Sequence, residues 1–224
     1  MALLLNIETA TTNCSVSLSK DGETFALKED NDKGYSHAER LHVYIKALLD
    51  ENNIKTSQLD AIAISKGPGS YTGLRIGVSA AKGLCFALDK PLISVSTLEA
   101  LAYQVKTTEG VIVPMLDARR MEVYASVFDA NYKEIREIKA EILDEHSYEF
   151  YLEQGKVYFV GNGVEKTKTI INHPNAIFVE DKLPSAREMG ALADLKYKKS
   201  DTEDVAYFEP YYLKDFVALK PKAK

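Results

Sequence analysis

An α/β fold made of two similar halves is predicted by three features of the 224-residue sequence. Residues 2–27 read as three consecutive strands forming a meander. Helices and strands then alternate, with a glycine-rich loop between residues 67 and 73. From residue 111 a similar order of elements returns, carried by element order alone, since the halves share no visible sequence identity.

Each element has its own signal. Residues 2–9 are an apolar run, and Cys14, Val16 and Leu18 alternate with Ser15, Ser17 and Ser19, the pattern of a half-buried strand. Asp21-Gly22 is a hairpin signal, and Phe25 and Leu27 continue on its far side. Ser36 and Glu39 form a capping box ahead of a helix whose Leu41, Ile45, Leu48 and Leu49 recur at helical spacing until Asn52-Asn53. Residues 61–65 are a short buried strand, a helix follows the glycine-rich loop to about Leu88, and residues 92–95 begin another strand.

In the second half, residues 111–116, 123–128 and 134–142 form a second meander. A strand at 157–160 leads through Gly161-Asn-Gly163 into a weaker helix to Ile171, then a strand at 176–179. A final helix opens on the capping box Ser185 and Glu188. Residues 201–204 look like an acidic linker, 206–216 are aromatic enough to dock back on the body, and 219–224 are a short basic tail. The expected division is 1–104, 105–205 and a C-terminal segment 206–224.

Composition narrows the function. The formal net charge of -5 means that binding to nucleic acid or an acidic membrane requires a local basic patch. No stretch approaches the ~20 apolar residues of a membrane span, and the start runs straight into a strand, so a cytoplasmic protein is expected. Cys14 and Cys85 read as small buried hydrophobes rather than a disulfide or a metal pair. His37 and His42 stand about 140° apart on a helix and cannot share a metal. All four histidines, His146 and His173 included, read as solvated or locally hydrogen-bonded.

The glycine-rich loop has two readings: a phosphate cradle at a helix N-terminus, or a tight turn that packs the helix closely on its strand. Its spacing fits neither a Walker A loop nor G-x-G-x-x-G. The helix after it is apolar nearly all round, leaving only the polar stripe Arg75, Ser79 and Lys82, so it should be buried on two sides. Its cover is either another part of the chain or a partner. On the second reading, the first helix and this one form a partner surface from Leu41, Ile45, Tyr71, Gly73, Leu74, Ile76, Gly77, Ala80, Ala81 and Leu84.

Several of these stretches together resemble a known family. Leu4-Leu-Asn-Ile-Glu-Thr9, Ser36-His-Ala-Glu-Arg-Leu41, the run from Gly67 to Ser79, Val95-Ser-Thr-Leu-Glu-Ala-Leu101 and Asp117-Ala-Arg-Arg120 are similar to the TsaB (YeaZ) family, as far as Pro210-Tyr-Tyr-Leu213. The resemblance implies an actin-like ATPase architecture with two ribonuclease-H-like subdomains. It also implies a supporting role in making threonylcarbamoyladenosine beside the anticodon of tRNA, with a TsaD-like catalytic subunit, a TsaE-like ATPase and tRNA reached only through the complex. The apolar, small-residue helix also makes a homodimer of the isolated chain an expectation, and whether it would use the same helices stays open.

The catalytic relative carries an H-x-x-x-H metal motif where this chain has Thr97 and Leu101, and leucine cannot ligate a metal. No catalytic residue, metal ligand or intrinsic cofactor is therefore expected. That absence also argues against a metallopeptidase. A nucleotide at a shared interface of the complex stays open. Glu8 and Asp117 end the first strand of each half, where two carboxylates either hold hydrated magnesium or cap neighbouring turns. Phosphate-contacting glycines are missing after both strands, where Ala10-Thr11 and Ala118-Arg119 stand. The alternative class is an autonomous ATP-dependent transferase or phosphotransferase using these two carboxylates. Arg119, Arg120, Lys214, Lys220, Lys222 and Lys224 are the candidate tRNA contacts, set against a reading in which the arginines pair with acids such as Glu122.

Overall fold

A computed structural model describes residues 1–31 and 37–214 of the chain. The first half contains β1 (Leu3–Glu8), β2 (Cys14–Lys20), β3 (Glu23–Asp30), α1 (His37–Glu51), β4 (Ala61–Ser65), α2 (Tyr71–Leu88), β5 (Leu92–Val95) and α3 (Thr97–Ala102). The second contains β6 (Val111–Asp117), β7 (Glu122–Asp129), β8 (Glu134–Ile142), α4 (Glu149–Leu152), β9 (Val157–Val160), α5 (Val164–Thr167), β10 (Ala176–Val179) and α6 (Ala186–Lys198). Ser36, the expected cap of α1, and residues 215–224 of the expected tail lie outside the described residues.

The duplication is visible in the strand order. One sheet runs β3-β2-β1-β4-β5 and the other β8-β7-β6-β9-β10, the same order in each half. In each, the central strand pairs antiparallel with the meander and parallel with the next strand, β1 with β4 and β6 with β9. Asp21 and Gly22 both take positive φ, 52° and 88°, as a tight hairpin between twisted strands requires. The weaker helix expected to Ile171 is one turn, α5, and the short α3 and α4 carry too few residues to show a period in the sequence.

α1 and α2 cover one face of the first sheet, burying Leu5, Ile7, Leu41, Leu48, Ile62, Ile64 and Ala81 among others. The opposite face buries Leu4, Ala63 and Ile93 against Ala186, Met189 and Ala193 of α6. Packing therefore redraws the expected division: α6, although late in the chain, belongs to the first lobe. α3 crosses the other way, and its Leu98 and Leu101 join Ile112, Leu116 and Val160 of the second sheet. The half-buried pattern expected of β2 is corrected for the same reason. Ser15, Ser17 and Ser19 are fully buried; Ser17 Oγ donates to the Ala186 carbonyl at 2.7 Å and Ser15 Oγ accepts from Ala186 N at 3.0 Å.

The acidic stretch expected as a linker is instead part of the sheet edge. Glu203 N donates to the Leu92 carbonyl at 2.8 Å. Residues 205–214 then run along α2: Lys82 Nζ donates to the carbonyls of Ala206 and Phe208, and Tyr211 N to that of Lys66 at 2.7 Å. Tyr212 lies beside Tyr71, with ring centroids 5.1 Å apart.

Candidate functional site

The glycine-rich loop settles into the packing role. Ser70 caps α2, accepting from Gly73 N, and Ser70 N donates to the Ala10 carbonyl at 2.7 Å. A Cβ on Gly73 would lie 2.1 Å from the Thr9 carbonyl oxygen, and one on Gly77 would lie 2.2 Å from Thr9 Oγ1. The glycine stripe thus brings α2 onto the end of β1.

This corrects six of the ten residues expected on the partner surface. Leu41, Ile45, Gly73, Gly77 and Ala81 pack against the chain's own first lobe and Leu74 lies beside Gly67 of the loop, and all are buried. Ile76, Ala80 and Leu84 instead line a groove between α1 and α2 with Ala38, His42, Arg75, Ser79 and Gly83, a cavity of about 560 Å³. Tyr71 is half-buried at the start of α2, under the Arg75 guanidinium at 4.2 Å from its ring centroid. Phe86 is 86% and Val43 60% exposed on the same two helices.

Glu8 and Asp117 stand in different environments. Glu8 is fully buried; its Oε1 accepts from Ala10 N at 2.6 Å and Ser65 Oγ at 2.9 Å, and Ser65 Oγ also meets Thr97 Oγ1 at 3.2 Å. Its Oε2 has no hydrogen-bond partner among the described residues. Burial pushes its pKa up to about 7, against the lowering effect of the hydrogen bonds from Ala10, Ser65 and Thr9. Asp117 is exposed, accepts from Arg119 N at 2.6 Å and pairs with Lys166 at 2.8 Å. Both carboxylates thus hold the turns that follow their strands.

Thr97 and Leu101 are both fully buried, Leu101 in the apolar layer between α3 and the second sheet. Among the described residues no group of three or more His, Cys, Asp or Glu side chains is placed to hold a metal. Nucleophile chemistry is equally unsupported at the cysteines, because burial pushes the Cys14 thiol up to about 11 and that of Cys85 to about 12. His37 is buried, with Nε2 2.6 Å from the Thr11 carbonyl oxygen.

Between the lobes lies a cavity of about 1130 Å³, lined in part by Asn13, Glu29, Tyr103, Lys106, Asn162, Lys168, Glu180 and Arg187. It is the natural place to test for a nucleotide in this fold. Its cations are matched by acids: Lys168 pairs with Glu180 at 2.6 Å, and Arg187 lies 3.9 Å from Glu29. Such a lining offers a triphosphate no net positive field, and the fit is poor. Among the described residues no helix is long and apolar enough to cross a membrane.

The buried Glu8 makes a prediction. Its folded-state pKa lies above the ordinary carboxylate value of 4.5, so its stabilising contribution is complete below about 4.5 and is lost as pH rises to about 7. Glu8→Gln, which cannot ionise, should therefore gain on the wild type by on the order of 3 kcal/mol between pH 4.5 and pH 8. Urea midpoints of both proteins across that range measure the difference; parallel curves would show that Glu8 does not titrate in the window.

The model of the family described as TsaD, tRNA N6-adenosine threonylcarbamoyltransferase, matches residues 34–222. The chain is 31% identical over 229 residues to the tRNA threonylcarbamoyladenosine biosynthesis protein TsaB of Haemophilus influenzae, covering 97% of this chain and 95% of that protein. The protein of the same name from Escherichia coli is 29% identical over 228 residues, covering 97% and 96%. Among solved structures, YeaZ from Pseudomonas aeruginosa superposes with a TM-score of 0.83 at 27% identity, covering 95% of this chain and all of that one. The ethanolamine utilization protein EutJ from Carboxydothermus hydrogenoformans, at a TM-score of 0.50 and 12% identity over 85% of this chain, shares the fold alone.

Proposed function

The chain belongs to the TsaB (YeaZ) family, and from that premise we propose that it is a non-catalytic subunit in the synthesis of threonylcarbamoyladenosine on tRNA in the cytoplasm. In this reading it seats a TsaD-like transferase on the α1–α2 groove and biases that subunit toward its active arrangement. The observation that carries it is the groove itself, apolar at Ile76, Ala80 and Leu84 and open at Gly83. A TsaE-like ATPase joins the assembly, any nucleotide is held at a shared interface, and tRNA is reached through the complex. Without its partner, a second copy of the chain covers the same face. The alternative of an autonomous ATP-dependent transferase has less support, since Glu8 is buried and Asp117 is neutralised by Lys166.

Reconstitution tests the reading. Threonylcarbamoyladenosine, measured by mass spectrometry of digested tRNA, is expected from the TsaD-like subunit, the TsaE-like ATPase, threonylcarbamoyl adenylate and this chain together. None is expected from this chain without the transferase. A transferase equally active in its absence, or turnover by the chain alone, would overturn the proposal.

A further inference from the structure

The hairpin between β6 and β7 has an unusual charge balance. Its tip is Arg119-Arg120, both exposed, both in the left-handed backbone region at φ 68° and 51°. That conformation favours glycine and asparagine, so two consecutive arginines oppose the local backbone preference. Neither guanidinium has a hydrogen bond or a carboxylate partner among the described residues.

The acids that flank the tip are already taken. Asp117 is paired with Lys166, which reaches in from α5, and Glu122 with Lys214, from the C-terminal segment. The reading in which the arginines pair with Glu122 is therefore corrected. Two carboxylates stand against four cations here, which leaves two uncompensated positive charges on a protein whose formal net charge is -5. Glu165, next in sequence to Lys166, lines the interlobe cavity.

The tip is also held in shape. Lys166 Nζ, with only 13% of its side chain exposed, donates to Asp117 Oδ1 at 2.8 Å and to the carbonyls of Arg120 and Glu122 at 2.6 and 3.0 Å. The guanidiniums are thus mounted on a braced turn, and little backbone order remains to be lost when an anion binds.

We propose that Arg119 and Arg120 contact the phosphodiester backbone of RNA bound to the assembled complex. This rests on the reading above, in which the chain works on tRNA. Planar guanidiniums match phosphate oxygens bidentately, and phosphate contacts position a nucleic acid without reading its sequence. Two such contacts are too few for tight binding by a protein of this net charge alone, so the site acts as an addition to the partner's own RNA surface.

The test is Arg119→Asn with Arg120→Gly, residues that suit the backbone, introduced into the full chain and reconstituted with the TsaD-like subunit. Affinity for tRNA is measured by filter binding at several salt concentrations. The variant complex is expected to bind roughly tenfold more weakly near 150 mM salt, with a salt slope shallower by up to about 2. Its melting temperature should equal or exceed the wild type's, which separates lost contacts from lost structure. Unchanged affinity and slope in a complex that binds tRNA overturns the assignment of the tip alone. Weakened assembly with the partner and unaltered RNA affinity also overturns it, in favour of an acidic protein surface. If the wild-type chain adds no tRNA affinity to the TsaD-like subunit, the proposal falls, and reconstituted modification then decides whether the functional reading falls with it.

Discussion

Gly77→Leu is expected to lower the melting temperature by well over ten degrees or to abolish folding. Ordinarily a glycine inside a helix costs about 1 kcal/mol relative to alanine, so a replacement would help. Here the first added carbon would stand 2.2 Å from Thr9 Oγ1 and 3.0 Å from Ile64 Cδ1. Thr9 cannot easily give way, because its hydroxyl donates to the Gly73 carbonyl at 2.8 Å and the residue is fully buried. Overpacking of this kind costs about 1–3 kcal/mol for extra methylenes, and leucine adds four carbons where not even one fits. Thermal melts of Gly77→Ala and Gly77→Leu should fall in that order below the wild type. A wild-type melt for Gly77→Leu would mean that α2 does not approach β1 as described.

Gly83, six residues along the same helix, should behave in the opposite way. A Cβ there meets nothing within 4 Å, and the residue lines the open groove between α1 and α2. Gly83→Arg should leave the isolated chain as stable as the wild type, or slightly more so through helix propensity. In the complex it would set an unpaired charge against an apolar face, a loss of about 2–5 kcal/mol, or roughly 30-fold or more in affinity. Reconstituted modification should fall with it at limiting concentration. Calorimetric titration with the TsaD-like subunit checks the first claim. A variant that assembles at wild-type affinity would remove the groove from the interface.

These two glycines show where sequence reasoning reached and where it stopped. An apolar period all round α2 required cover on two sides; the first sheet supplies one, α1 and the returning segment with Val205 and Phe208 supply part of the other, and the groove at Ile76, Ala80 and Leu84 stays open. The period could not say which small residue met which. The period places Gly73 and Gly77 with Ile76, Ala80 and Leu84 on one outward surface, yet they sit against Thr9, more than 60 residues earlier in the chain. Glu8 and Asp117 were legible as equivalent ends of two central strands, but their environments differ. One is sealed beneath Ser65 and Thr97, and the other lies in solvent beside Lys166. Arg119 and Arg120 were visible as charges, whereas their lack of acid partners depends on Lys166 and Lys214 arriving from elsewhere.

The sequence by itself determined the elements whose signals are local: the two meanders, the Asp21-Gly22 hairpin, the helix after the glycine-rich loop and the repeated order of the halves. It also carried the family, through a motif in which close packing restricts Gly67, Gly69, Gly73 and Gly77. The tertiary structure alone decided what each face met. Alternation along β2 marks Ser15, Ser17 and Ser19 as one polar face, which in a local reading belongs to water. In the fold that face receives α6, whose Ala186 backbone exchanges hydrogen bonds with Ser15 and Ser17 across about 170 residues of chain. A serine hydroxyl satisfies its hydrogen bonds equally well with water or with a returning backbone, so no periodicity distinguishes the two, and only the path of the chain does.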